Sequence, residues 1–256
     1  YKNSIIEKPK FSLLILIIIL LSLSYFAKNF QLDASSDTLL LENDPDLKYL
    51  REVNNTYGSK EFFVLTYTPN ENFLNSKTIT NLSNLKNDLS KLKWANNVIT
   101  ILDVPLLKNN DEPLADRIKN FKTLLSPDVD KERGFEEILN SPIYRDFVIS
   151  KDGKTSGILV YIKIDQKISE FIKTKNKYLN KIENGEIKPE DKKKYKVFLK
   201  EYDSYKKLYN QKNHQNVKEI RAIIKKYEDV AKIHLGGIPM IADDMMTYVK
   251  NDIIVF

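Results

Sequence analysis

Few residues of this chain have the type and spacing needed for catalysis or metal binding. Asp243 and Asp244 form the best-placed carboxylate pair for general acid–base chemistry. The two histidines, His214 and His234, each lack a second histidine at the spacing of metal ligands. Cysteine is absent, which excludes a thiol nucleophile, a thiolate metal site and a disulfide framework.

Other signatures of catalysis are missing from the sequence. There is no glycine-rich phosphate loop and no Gly-x-Ser-x-Gly elbow. Asp243 and Asp244 fit a solvated helix face better than a catalytic pair, so we assign no catalytic, cofactor-binding or metal-binding residue. We expect no cofactor and no enzymatic activity, and a secreted hydrolase is the least favoured class.

An apolar run over residues 11–27 positions the rest of the chain. It carries no charge between Lys10 and Lys28 and predicts a transmembrane helix. At about 1.5 Å per residue it is about 25 Å long, a little under the roughly 30 Å hydrocarbon core of a bilayer. Lysines precede the run and acids follow it, so the positive-inside rule places the start in the cytoplasm and the rest outside. The alternatives are a signal peptide cleaved near Ser22 or Ser24, and a buried core helix.

The part of the chain after this run shows the patterns of a mixed fold. Alternating apolar residues predict four strands, near 61–68, 97–102, 156–164 and 231–236. Apolar residues at helical spacing predict helices at about 47–53, 75–94, 114–125 and 132–139. Helices between successive strands are typical of packing on one face of a sheet. We therefore predict the α+β class.

Residues 166–230 predict an inserted helical hairpin. Two helices with matching apolar seams are separated by a break at Gly185 and Pro189, and a third helical piece covers 217–227. The second helix carries an aromatic stripe: Tyr195, Phe198, Tyr202, Tyr205 and Tyr209. We interpret the stripe as a packing seam, and the alternative is a stacking platform for a ligand.

The formal net charge of +6 arises mostly within this hairpin. Crowded lysines on a helix fit a solvated face better than a phosphate-binding patch, and we expect no nucleic acid partner. We also considered that the lysines contact anionic lipid headgroups, with Lys192, Lys193 and Lys194 as the residues to test.

The end of the chain predicts a return to the membrane. Gly236 and Gly237 permit a tight turn, and Pro239 starts an amphipathic helix that we expect to lie at the membrane surface. A second apolar run begins at Ile253, and Tyr1 is not a methionine. We therefore expect a fragment whose second span begins at its last residues, and this pairing disfavours signal cleavage.

The order of these parts resembles the resistance–nodulation–division superfamily of transporters, in the branch of mycobacterial-large-membrane-protein and hopanoid-type lipid exporters. An acidic, Asp-Pro-containing stretch after the first span leads to Tyr57-Gly58, and Gly236-Gly237-Ile238-Pro239 precedes an acid before the second apolar run. Residues 150–155 before a strand fit the same pattern. The residues that carry the resemblance are Asp37, Glu42, Asp44, Pro45, Gly58, Gly236, Gly237, Pro239 and Asp252.

The resemblance implies a domain organisation. The fold expected is an N-terminal transmembrane helix followed by a ferredoxin-like porter-type domain with an inserted helical hairpin. Residues 1–30 hold the cytoplasmic start and first span, 31–165 the first part of the porter domain, 166–230 the hairpin, and 231–256 the last strand and the helix leading to the second span.

The resemblance also implies a function. It predicts part of a proton-driven exporter of lipids or other hydrophobic molecules, with proton-relay acids in later spans. Residues 28–250 are expected outside the bacterial inner membrane, in a multi-pass protein. Expected partners are the bilayer, a lipid or hydrophobic substrate, and a homo-oligomer or periplasmic partner proteins. The alternative is a single-span periplasmic sensor or scaffold that binds a protein through its hairpin.

Overall fold

A computed structural model of the chain describes residues 9–27, 44–58, 60–108 and 121–255. Within these ranges the chain forms seven α-helices, one turn of 3-10 helix and four β-strands. The helices are α1 (Pro9–Ala27), α2 (Pro45–Tyr57), α3 (Ser76–Ser90), α4 (Lys131–Leu139), α5 (Gln166–Glu183), α6 (Pro189–Lys225) and α7 (Ile238–Val255). The strands are β1 (Phe62–Pro69), β2 (Ala95–Ile99), β3 (Ser156–Ile162) and β4 (Ala231–Gly236).

The four strands form one antiparallel sheet in the order β2-β3-β1-β4. Helix α3 connects β1 to β2, and the α5–α6 segment connects β3 to β4. Each strand–helix–strand unit therefore has one strand of the other unit between its own two strands. The predicted α+β class is confirmed.

The second strand lies a little earlier in the chain than predicted. It covers Ala95–Ile99, whereas Ile101–Asp103 form a 3-10 turn. Thr100 caps this turn through a reciprocal capping box with Asp103. This local side-chain bonding ends the strand, because it satisfies backbone donors that a strand would pair across the sheet.

The hydrophobic core lies on one face of the sheet. Alternation along β1 buries Phe63, Leu65 and Tyr67 while their neighbours stay half-exposed or exposed. Two helices cover this face, and their buried apolar residues belong to the same cluster. Helix α3 contributes Leu82, Leu85 and Leu89, and the C-terminal part of α6 contributes Val217, Ile220, Ile223 and Ile224.

One end of the sheet is where β1 and β2 begin and where β3 and β4 end. Phe62 at the start of β1 pairs with Tyr161 near the end of β3, and Val64 pairs with Gly236 at the end of β4. The chain therefore arrives at β1, departs from β3 towards the hairpin, and leaves β4 at one end, which we call the root end. Pro69 and Ala231 pair at the opposite, far end.

Helix α6 is a single helix of 37 residues. The helical character predicted for residues 217–227 is confirmed as far as Lys225, and these residues continue α6, which contains no glycine and has its proline at the first position, where it does not break the helix. The C-terminal part of α6 covers the sheet, so the predicted hairpin over 166–230 includes the crossover helix of the second strand–helix–strand unit.

The packing seam of the hairpin is confirmed. Phe171 of α5 contacts the rings of Phe198, Tyr202 and Tyr205, with centroids 5.6–6.0 Å apart. Closer to the turn, Tyr178 packs in a tilted arrangement against Tyr195, with centroids 4.9 Å apart. These rings fill the space between the two helices, so the stripe serves packing rather than ligand stacking.

Two further expectations have different outcomes. The helix predicted over 114–125 lies mostly outside the described residues, and its described end is not helical, since Lys122 forms a β-bridge with Leu106. Among the described residues, no helix has both the length and the apolar character that a membrane crossing requires. This finding gives the predicted N-terminal span no support.

The turn at Gly237 predicts a position where substitution is costly. Its φ is 106°, and an added Cβ would lie 2.9 Å from the carbonyl oxygen of Phe62. We expect Gly237→Ala to lower the free energy of unfolding by about 2–4 kcal/mol, because backbone strain and overpacking add. The single tryptophan, Trp94, packs on Phe63 at 5.6 Å and reports unfolding by fluorescence.

Gly185→Ala is the matched control for this substitution. Gly185 also has a positive φ, of 71°, but nothing lies within 4 Å of the added Cβ. It should cost only about 1–2 kcal/mol of left-handed strain. Equal losses at the two positions would contradict the close approach at Gly237.

Candidate functional site: a polar junction at the root end

The middle of α6 contacts three of the four segments that connect to the root end of the sheet. Residues 205–214 bond to the chain before β1, to the start of α5 and to the start of α7. We call this cluster the junction. Its members are Glu61, Asp165, Tyr205, Tyr209, Lys212, Asn213, His214, Pro239 and Asp243.

Asp165 is the anchor of the hairpin. Its carboxylate caps α5 by accepting hydrogen bonds from the backbone N–H groups of Lys167 and Ile168, at 3.1 and 3.2 Å. The hydroxyl of Tyr205 donates to the same carboxylate, 2.9 and 2.8 Å from its two oxygens. Lys212 Nζ lies 3.6 Å away. One acid thus joins both helices of the hairpin.

These contacts set the protonation of Asp165. Burial opposes ionisation, but the hydrogen bonds from Tyr205 and from the α5 backbone, together with the Lys212 charge, outweigh it and lower the pKa of Asp165. The same hydrogen bond raises the pKa of Tyr205. Asp165 is therefore a carboxylate at neutral pH, and Tyr205 remains a donor.

The segment leading into β1 is held by a second tyrosine. Tyr209 donates its hydroxyl to the carboxylate of Glu61. Removal of water raises the pKa of Glu61, and the bond from Tyr209 partly offsets the rise. Glu61 keeps part of its surface in solvent, which limits how far this rise affects stability. Burial and the Glu61 charge raise the pKa of Tyr209 strongly, so this hydroxyl also stays protonated.

The segment leaving β4 is held by three side chains of α6. Asn213 donates to the carbonyl oxygen of Pro239 at 2.7 Å. His214 Nδ1 lies 2.9 and 3.0 Å from the two oxygens of Asp243. Arg221 Nη2 donates to both oxygens of Asp244 at 2.9 and 2.8 Å. Helix α7 is thus attached to α6 through charged and polar side chains.

The solvated face predicted for Asp243 is wrong. Asp243 is only 8% exposed, because α7 turns this residue towards α6 and leaves its apolar residues outside. Ile238, Ile241, Met245 and Tyr248 are exposed, at 38–66%. Asp244 is less buried than Asp243 and forms the ion pair with Arg221.

The side chains of the junction orient chain segments and pair charges. A histidine held by an acid is part of many nucleophilic sites, but among the described residues no hydroxyl bonds to the ring of His214. In the same described part of the chain, no cluster of three or more His, Asp or Glu residues is arranged to hold a metal ion. His234 lies on β4 opposite Thr66 and outside the junction.

The residues that carry the resemblance lie at the ends of elements. Asp37 and Glu42 lie outside the described residues. Asp44 caps α2 by accepting from the N–H of Asp46, with Pro45 at the first helical position and Gly58 at the C-cap. Gly236, Gly237 and buried Pro239 come together at the junction, whereas Asp252 is exposed near the end of α7.

Sequence reasoning did not identify most of the junction. Tyr205 and Tyr209 were assigned to the packing seam, and their hydroxyls carried no separate signal. Asp165 directly before a helix is a recognisable N-cap, and this was the one available sign that it bonds rather than faces solvent. Partners from distant parts of the chain, such as Glu61, have no local pattern.

No protein-family model and no curated protein matches this chain.

The lowered pKa of Asp165 predicts an acid-labile hairpin. A carboxyl whose pKa is lower in the folded state stabilises that state above its ordinary pKa of 3.8. This stabilisation is lost as pH falls through the lower folded pKa. We expect the protection of the α5 amides against hydrogen exchange, relative to their intrinsic rates, to fall below pH 3.8, and Asp165→Asn to remove much of that dependence by weakening α5 at all higher pH values.

Asp130→Asn controls for the cap itself. Asp130 caps α4 through the N–H groups of Glu132 and Arg133, and asparagine caps about as well as aspartate. This variant should leave the exchange of α5 amides unchanged. If Asp165→Asn also left it unchanged at pH 7, the charged contacts of Asp165 would not hold the hairpin.

The His214–Asp243 pair at α7 predicts a second local effect. Asp243→Ala removes the acceptor of His214 and should cost about 1 kcal/mol, because the His214 side chain is 40% exposed and can bond to water instead. The loss should show as faster hydrogen exchange in α7, with the β1 amides changed less. Asp252→Asn, at an exposed position of the same helix, should be neutral. Equal effects of the two variants would rule out a special role for the His214–Asp243 pair.

Proposed function

We propose that this chain is the first span and extracytoplasmic porter domain of a proton-driven membrane exporter of lipids or other hydrophobic molecules. The observation that carries the proposal is the placement of both chain connections at the root end of the sheet. The segment before β1 and the segment after β4 lie side by side, since Val64 pairs with Gly236. A domain inserted between two membrane helices needs this arrangement.

The surfaces of the two flanking helices support the proposal. Every large apolar side chain of α1 from position 11 to position 25 is exposed. Helix α7 presents a stripe of exposed apolar residues opposite the face that binds α6. Water does not stabilise such surfaces, and a bilayer does. The assignment of α1 as a span goes beyond the finding on described helices above, and rests on this exposure and on the charge asymmetry around the run.

The interleaved sheet is also compatible with the expected porter domain. Its order β2-β3-β1-β4, with one helical crossover in each unit, has the connectivity of a ferredoxin-like split βαβ domain. The α5–α6 hairpin is an extension of the second crossover. We propose that the fold is a ferredoxin-like porter-type domain with this inserted hairpin.

The junction gives the domain a role in transport. It links the segments that lead to both proposed membrane helices to one rigid helix, α6, through Tyr209 and Asn213. A displacement of either membrane segment is therefore transmitted to the hairpin and the sheet. In this proposal the proton-relay acids belong to later spans, and alternating access moves the porter domain through these contacts.

A single-span sensor or scaffold is the second candidate. The aromatic seam favours it, because a stiff hairpin that projects from a domain is suited to binding a partner protein. The two candidates differ in the flanking coding sequence. Further spans with an intramembrane carboxylate support the exporter, and a stop codon soon after residue 256 supports the scaffold.

Topology can be tested by cysteine labelling, since residues 1–256 contain no cysteine, and any cysteine elsewhere in the full-length protein is replaced first. We expect a membrane-impermeant maleimide to label Asn184→Cys in the hairpin turn of the full-length protein in intact cells. Asn3→Cys, before α1, should react only after the membrane is permeabilised. Carbonate washing should leave both variants in the membrane fraction. Release by carbonate, or labelling of Asn3→Cys in intact cells, would contradict the proposed span and its orientation.

A further inference from the structure

The hairpin extends well beyond the sheet, on the side of the root end. The eight residues of β1 rise about 3.3 Å each, so about 17 residues of α6 match the length of the sheet. Counting back from Lys225, the sheet ends near residue 208, where Tyr209 meets Glu61. The preceding part of α6 therefore projects about 30 Å past the root end together with α5.

The outer part of this projection, residues 177–200, carries eight lysines and four acidic residues. We call it the hairpin tip. Lysines nearer the root lie over aromatic rings, with Lys167 Nζ 4.7 Å from the Tyr205 centroid and Lys175 Nζ 5.4 Å from that of Tyr202. At the tip, Asp191 is paired with Lys181, which leaves seven lysines and three acidic residues outside this pair.

Lys192, Lys193 and Lys194 form the most basic part of the hairpin tip. All three are exposed, and none forms an ion pair with another residue in the described part of the chain. They lie at the N-terminal end of α6, where the helix dipole disfavours positive charge. These three positive charges therefore do not stabilise the helix. Contact with an external anionic surface would stabilise them.

Apolar residues accompany these lysines. Ile182 and Val197 are 42% and 61% exposed, whereas the tip's aromatic rings, such as Tyr178 and Tyr195, pack against each other. The hairpin tip is thus a rigid support that presents lysines and aliphatic side chains outward. This combination suits the boundary between lipid headgroups and acyl chains.

We infer that the hairpin tip docks onto the anionic surface of the membrane in which the chain is anchored. The inference rests on the proposed function, because it takes the root end as the side that faces the bilayer. The hairpin projects from the same end as the segments that lead to α1 and α7, so the tip and the lipid headgroups lie on one side of the sheet. An acidic protein would have the same charge, but nothing places it at this end.

The test uses the full chain in nanodiscs of phosphatidylcholine alone or of phosphatidylcholine with phosphatidylglycerol. Asn184→Cys carries an environment-sensitive fluorophore in the hairpin turn. We expect a blue shift in the anionic nanodiscs that high salt reverses. Each lysine near an anionic surface contributes about 1 kcal/mol, so reversing three of them should lower the docked-to-free ratio by about 100-fold or more.

Lys192→Glu/Lys193→Glu/Lys194→Glu is the test variant, and acidic residues in the first turns of a helix favour its folding. Lys77→Glu/Lys131→Glu/Lys232→Glu is the matched control. It changes net charge equally at three exposed lysines near the far end of the sheet. The control should keep the blue shift, and Trp94 fluorescence checks that both variants fold.

The outcomes separate this inference from the proposed function. If α1 inserts and the Asn184→Cys signal is the same in both lipids, the docking inference is wrong and the exporter proposal stands. If the chain does not enter nanodiscs, the proposed function fails, and docking is then decided by co-sedimentation of the same variants with preformed anionic vesicles. A blue shift caused by a polyglutamate peptide but not by phosphatidylglycerol would assign the hairpin tip to an acidic protein and overturn the lipid docking.

Discussion

The continuity of α6 is the constraint on which the rest of the structure depends. Its C-terminal part buries Val217, Ile220 and Ile224 against the sheet, and its N-terminal part forms half of the hairpin. Because the same unbroken helix packs on the sheet and forms half of the hairpin, its packing on the sheet also sets the direction of the hairpin. Burial of three aliphatic side chains, at about 1.5–3 kcal/mol each, fixes where a charged arm outside the core points.

Apolar burial sets the direction of α6, and polar contacts at the junction hold the connecting segments against it. The hairpin seam is built from rings, each pair worth about 0.5–1.5 kcal/mol beyond area burial, and rings that carry hydroxyls need partners where the seam meets the sheet. Asp165 and Glu61 supply those partners at the two strand ends that lie next to each other. The tyrosines thus pack with their rings and position connecting segments with their hydroxyls.

The sequence predicted the periodic parts of this fold well. Strands β1, β3 and β4, the helices α3 and α4, and the aromatic seam follow from local spacing, which depends only on near neighbours. The end of β2 was misplaced because the Thr100–Asp103 capping box outcompetes the apolar run that continues through Ile101 and Leu102. The helical character predicted after residue 217 belongs to the same helix, because weak helix formers such as Asn213 lower propensity without ending a helix.

The candidate site was harder to predict than the fold. Asp243 looked like surface charge because helical periodicity shows which residues share a face, but not which face the protein covers. On α7 the usual arrangement is reversed: the acids face α6 and the apolar residues face outward. Only the long-range pairing with His214 and Arg221 reveals this, and such contacts between residues far apart in sequence leave no local pattern.

The position of the junction along α6 has a mechanical consequence. Its bonds, centred near Tyr209, divide the helix into an outer arm of about 30 Å and an inner arm of about 24 Å. A stiff rod held near its middle is a lever of nearly equal arms. A tilt of about 10° would move the outer end by about 5 Å, and the matching displacement of about 4 Å at the inner end would load the buried contacts of α6 with the sheet. The inner end leads into the edge strand β4, so a force on the outer arm is transmitted to this edge of the sheet.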